Sequence, residues 1–234
     1  MFLLATLGVS AGLITTLSGF GGGVFLVTCL ALLWDPLTAL TISSLALLVG
    51  NSQRLFLFRA GFDWRLSLPA ILGCIPGALL GALLATTLPA SLLKLAIVSA
   101  TLASLCWIPF RNKVTLPRWM LGPGSTVVAF LSATTGGGGF LLGPLLMSTG
   151  AYGARYLAAG ASASIAVHSF RVIGYSASGL IDPSRLGQAL LIACSIMLGN
   201  TLGKLIRVRV GEENMRWLEY AAPALCAGLA IASL

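Results

Sequence analysis

Residues 18–26 read Ser18-Gly19-Phe20-Gly21-Gly22-Gly23-Val24-Phe25-Leu26, and residues 134–142 read Thr134-Thr135-Gly136-Gly137-Gly138-Gly139-Phe140-Leu141-Leu142. Both glycine runs fall inside long uncharged stretches, for no charged side chain occurs from Met1 to Trp34 or from Trp119 to Ala154. Such stretches are where a bilayer would lie. Backbone in hydrocarbon must satisfy its own hydrogen bonds, so a non-helical break at membrane depth is tolerated only inside protein or beside a watery cavity. Paired breaks at matching positions of two halves point to a transporter's binding site.

Working outward, composition agrees. Of 234 residues, 57% are hydrophobic and 9% charged, against about 25% charged in soluble domains. An ordinary soluble core is excluded. The net charge of +8 is spread thinly between apolar spans, where it reports orientation and contact with lipid headgroups. No segment is long and polar enough to present a basic face, so no nucleic-acid partner is expected. Cys29, Cys74, Cys106, Cys194 and Cys226 lie far apart in apolar runs and read as small buried hydrophobes. No cluster of His, Cys and carboxylates has metal-ligand spacing, so neither a metal nor another cofactor is expected. An enzyme is not expected either, since His168 is the single histidine and no H-E-x-x-H, paired-carboxylate or Walker pattern appears. The apolar start lacks a basic n-region, so Met1–Ser18 reads as a retained helix.

Pro, Gly and charge divide the chain into ten apolar segments, roughly 2–18, 23–34, 37–58, 65–87, 90–108, 119–133, 138–150, 154–179, 185–207 and 214–233. The fold expected is an all-α polytopic membrane protein. Its halves match in order: Asn51-Ser52-Gln53-Arg54 with His168-Ser169-Phe170-Arg171, and Gly77-Ala78-Leu79-Leu80-Gly81 with Gly199-Asn200-Thr201-Leu202-Gly203. The two G-x-x-x-G pairs read as close helix contacts. Counting each glycine-broken pair as one crossing gives eight spans and an even division of basic residues. Counting each as a hairpin places ten basic residues on one face, Arg59, Arg155 and Lys204 among them, and only Lys94 and Arg185 on the other. The positive-inside rule favours the hairpins. The reading is therefore two inverted five-segment repeats, 1–110 and 119–234, joined by a cytoplasmic linker at 111–118, with glycine breaks near the midplane and both ends outside.

At these residues the chain resembles the sulfite exporter TauE/SafE family, also called toluene sulfonate uptake permeases. The resemblance rests on Gly19-Phe20-Gly21-Gly22-Gly23-Val24-Phe25-Leu26 and its echo at Thr135–Leu141, on Ala39-Leu40-Thr41-Ile42-Ser43-Ser44, on Asp63-Trp64-Arg65-Leu66 and on Pro76-Gly77-Ala78-Leu79-Leu80-Gly81. It covers nearly the whole chain. It implies a secondary transporter of sulfur-containing anions (sulfite, organosulfonates or related oxyanions), multi-pass in the cell inner membrane, with a small anion and the lipid bilayer as partners. The chain departs from the family's habit at Tyr152-Gly153-Ala154, where a Pro-containing turn is common.

Candidate substrate-binding residues follow. Gly21, Gly22 and Gly23, and Gly136, Gly137, Gly138 and Gly139, open helices whose first N–H groups lack partners, a ready anion site that glycine leaves accessible. Tight helix packing explains the same glycines. Arg54 and Arg171 are the basic residues placed well inside segments, and an intramembrane charge faces a cavity or a partner. Arg54, near a segment end, also has a snorkelling explanation. His168 shares a helical face with Arg171 and either handles a proton or packs. Asn51, Ser44 and Ser162, with Ser43 and Ser164, either bind anion oxygens or hold helices together. An anion channel, or a membrane subunit of a larger complex, is the alternative to a carrier.

Overall fold

The computed structural model describes residues 1–107, 116–136 and 139–210, with side chains omitted for 101–107 and 139–140. Among the described residues there are nine α-helices and no strand: α1 (Phe2–Ser18), α2 (Gly22–Leu33), α3 (Pro36–Leu57), α4 (Trp64–Thr87), α5 (Ala90–Trp107), α6 (Leu121–Thr135), α7 (Gly139–Met147), α8 (Gly153–Ala177) and α9 (Pro183–Val210). These match the first nine expected segments within a few residues. The tenth segment, Gly137, Gly138 and linker residues 111–115 lie outside the described residues. Helices α4, α8 and α9 are long and apolar enough to cross a membrane, while α1 and α2 are shorter apolar helices.

Three helices start on aspartates. Asp35 accepts from the Thr38 N–H at 3.0 Å with Pro36 in the first turn, Asp63 from the Arg65 N–H at 2.8 Å, and Asp182 from the Arg185 N–H at 2.9 Å just before Pro183. Each carboxylate fills an orphan donor at a helix N-terminus. Glycine makes the breaks. Gly21 has φ +113° and Gly136 φ +70°, backbone that side-chain-bearing residues rarely adopt.

Small residues let backbones touch. A Cβ on Gly77 would lie 2.1 Å from the Thr126 carbonyl oxygen, and one on Gly81 2.4 Å from that of Phe130. The register advances together, so α4 and α6 run parallel. Gly8 meets Ile192 and Ser195, Gly12 meets Ile196 and Asn200, and Gly203 meets Thr16, so α1 and α9 run parallel too. Asn200 ties three helices: it donates to the Gly50 carbonyl and to Gln53 Oε1, and accepts from Thr16 Oγ1. One end of the bundle gathers the Asp63–Arg155 ion pair, Lys204 on the Leu57 carbonyl, and the Leu116 N–H on Ser148. The other gathers Leu37, Leu88 and Leu180, with Asp35 in the field of Arg185. Outward faces of α4 and α9 are apolar, as at Leu72, Leu80, Leu190 and Leu198. Cys29 and Cys74 are buried as expected, but Cys194 lies on the exposed face of α9, a position the apolar run around it did not reveal.

Candidate functional site

A partly open cavity of about 50 Å³ lies where α3 and α8 cross the two glycine breaks, several times the ~10–15 Å³ that one water requires. Helix α3 lines it with Leu47, Asn51 and Arg54, and α8 with Ser164, His168 and Arg171. Each set follows the i, i+4, i+7 stripe of one helical face. The two sets occupy matching positions in the two halves. Arg171 bonds level with Leu40 and Gly61 packs on Ala154, so α3 and α8 run antiparallel. Arg54 and Arg171 are therefore attached at levels far apart along the bundle, yet both side chains reach this one cavity and the field of His168.

Both guanidinium groups are interior, each side chain 1% exposed. Arg54 Nη1 donates to the carbonyls of Gly19 (3.0 Å) and Thr15 (3.3 Å) at the end of α1. It also lies 5.9 Å from the Phe20 ring centroid. Arg171 Nη2 donates to the Leu40 carbonyl at 3.2 Å, which already accepts from Ser43 and Ser44, and its guanidinium lies 5.7 Å from the Tyr175 ring. The Nε atoms of both arginines and Nδ1 of His168 are buried without a partner. Among the described residues, the aspartates sit at the helix starts and neither arginine forms an ion pair. His168 lies in the electrostatic field of both arginines. The cavity thus carries two cationic side chains and, among the described residues, no carboxylate.

Of the sequence-expected residues, Gly21, Gly23, Gly136, Asn51, Arg54, His168 and Arg171 line this cavity. Gly139 opens α7. Gly22 faces away: a Cβ there would lie 1.9 Å from both the Ala11 carbonyl oxygen and Thr15 Oγ1. Ser44 and Ser162 are buried outside the lining, their hydroxyls donating to Leu40 and Ala159 of their own helices. Asn51 lines the cavity with its Nδ2 donating to the Leu47 carbonyl at 2.8 Å.

The structure adds residues that sequence reading missed. Phe20 lines the cavity and packs edge-on to Tyr156 at 5.6 Å, its ring also against Gly143 and Gly160. The first break is thus docked into a slot between α7 and α8. Thr15 and Ser132 line the cavity as well. Arg207, one of the ten basic residues that the hairpin count places on one face, is buried and donates to the Leu17 carbonyl at 3.0 Å and to the Thr16 carbonyl. No local signal distinguishes it from Arg209, because only the approach of α1 makes it interior.

Apolar helices that face outward with leucine and enclose two arginines with no ion pair among the described residues define a multi-pass membrane protein. The chain belongs to the sulfite exporter TauE/SafE family, whose model matches residues 4–230, a family of membrane transporters for sulfur anions such as sulfite. No curated protein and no solved structure matches the chain in these comparisons.

Proposed function

We propose that the chain is a secondary carrier for small sulfur oxyanions in the cell inner membrane, with the anion held between the two glycine breaks. The carrying observation is that Arg54 and Arg171, both buried and without a carboxylate among the described residues, line one cavity with Gly21, Gly23 and Gly136. An uncompensated buried charge is costly, and a bound oxyanion supplies what is lacking. Arg171 offers a planar pair of donors suited to two anion oxygens. The N–H groups at the start of α2 add donors and the positive end of its dipole. No covalent change of the anion is involved, so the protein is a carrier without enzymatic chemistry.

The parallel pairing of α1 with α9, and of α6 with α4, supports an inverted duplication of 1–110 and 119–234 about the linker 111–118. In each pair the helix that opens one half packs on the fourth helix of the other. Two such interlocked halves are suited to rocking about a fixed site. The end bearing Asp63, Arg155 and Lys204 is the cytoplasmic one. Flux of a panel of labelled sulfur anions into liposomes preloaded with unlabelled sulfite, with the purified chain as the sole protein, tests this reading. Saturable sulfite uptake, competed by small oxyanions, is expected. Conductance far above carrier turnover, or no sulfite flux, overturns it.

A further inference from the structure

We propose that this carrier is an obligatory anion exchanger: its cavity switches faces readily with an anion bound and slowly when empty. The proposal rests on the carrier reading above and adds the mode of transport. It follows from charge that is present at the cavity and from countercharge that is absent there among the described residues. Arg54 and Arg171 both line the cavity at 1% exposure. Their acceptors are the carbonyls of Thr15, Gly19 and Leu40, which share a hydrogen bond but bring no countercharge. Among the described residues the carboxylates are Asp35, Asp63 and Asp182, which cap helices at the bundle ends, and the last two pair with Arg155 and Arg185.

While the cavity is open to one side, water and dissolved anions solvate the two guanidinium groups. Switching faces requires an occluded state from which that water is excluded. With an anion inside, the cationic charge crosses this state compensated. Empty, the site must carry bare charge through a low-dielectric interior, where unpaired ions are costly. His168 offers no relief, because a proton there adds a third positive charge to the field of the first two. A carboxylate beside either arginine would remove the barrier and permit one-way transport.

The test compares efflux of labelled sulfite from liposomes into two media, one containing unlabelled sulfite and one containing gluconate. Equal potassium with valinomycin on both sides prevents a membrane potential from limiting net flux. Efflux into sulfite is expected to exceed efflux into gluconate by roughly a hundredfold, the factor set by one buried unpaired charge. Equal rates in the two media overturn exchange and leave the carrier standing. No flux in either medium overturns the carrier reading itself. Arg171→Gln, checked for sulfite binding by calorimetry, is expected to narrow the ratio by at least ~10-fold, since it removes one bare charge from the empty state. An unchanged ratio in a binding-competent variant overturns the assignment of the barrier to that charge.

Discussion

Arg54 Nη1 lies 3.0 Å from the carbonyl oxygen of Gly19, the residue that ends α1 at φ +86°. With its second bond to Thr15, and with Arg207 on Thr16 and Leu17, the interior end of α1 has cationic donors where a helix leaves carbonyls unsatisfied. Arg171 occupies the matching position in the second half, yet it bonds one carbonyl of α3 that has two other donors. Equivalent in sequence, the two arginines are committed differently. Arg54 holds the broken backbone, and Arg171 is the freer of the two for a ligand.

The arginines should therefore separate stability from affinity. Arg54→Gln loses two charged-donor bonds to backbone and should destabilise the purified protein by about 1.5–3 kcal/mol. Arg171→Gln should leave thermal unfolding unchanged or raised, because it removes a buried unpaired charge, and should weaken sulfite binding roughly 10- to 100-fold. Arg171→Lys should restore part of that affinity, a point charge being unable to reproduce the planar pair of donors. Unfolding and calorimetric binding measured on the same preparations check all three.

Neighbouring glycines should part in the same way. The Cβ of Gly22→Ala meets backbone and Thr15 Oγ1 at 1.9 Å, so this variant should lose stability, with helix α1 displaced. The Cβ of Gly23→Ala points at Leu47 Cδ1 at 3.3 Å on the cavity wall. That flexible methyl can give way, so Gly23→Ala should fold and bind sulfite more weakly. Normal affinity in folded Gly23→Ala would return the first break to a packing role.

Labelling from either side of the membrane checks the arrangement of ends. In a background lacking the native cysteines, Ala60→Cys and Ser178→Cys are both exposed positions near opposite ends of the bundle. A membrane-impermeant thiol reagent added from the periplasm should label Ser178→Cys, and Ala60→Cys only after the membrane is opened. The reverse pattern sinks the assigned orientation, and labelling of both from one side sinks the opposite-end placement.

Much of the fold is legible in the chain because the bilayer imposes local demands. Charge-free stretches mark segments, aspartates before Trp64 and Pro183 mark helix starts, and glycines at 21 and 136 mark breaks, each without reference to a distant residue. Arg54 and Arg171 stood out for the same reason. A guanidinium inside an apolar segment is conspicuous wherever that segment packs.

Azimuth was not legible. Both the interior and the lipid-facing sides of these helices are apolar, so no amphipathic stripe tells which side chains turn inward. Ser44 and Ser162 looked equal to Ser164, yet only Ser164 lines the cavity. Phe20 was one more apolar residue until Gly143 and Gly160 of the other half formed its slot. Sequence alone determined an all-helical, multi-pass, glycine-broken chain with two interior cations, because hydrocarbon acts on each segment independently. Tertiary structure alone decided that Gly22 packs while Gly23 faces the cavity, and that Arg207 is interior. It also decided that Arg54 is tied down while Arg171 is freer, because each depends on which distant helix arrives at that face.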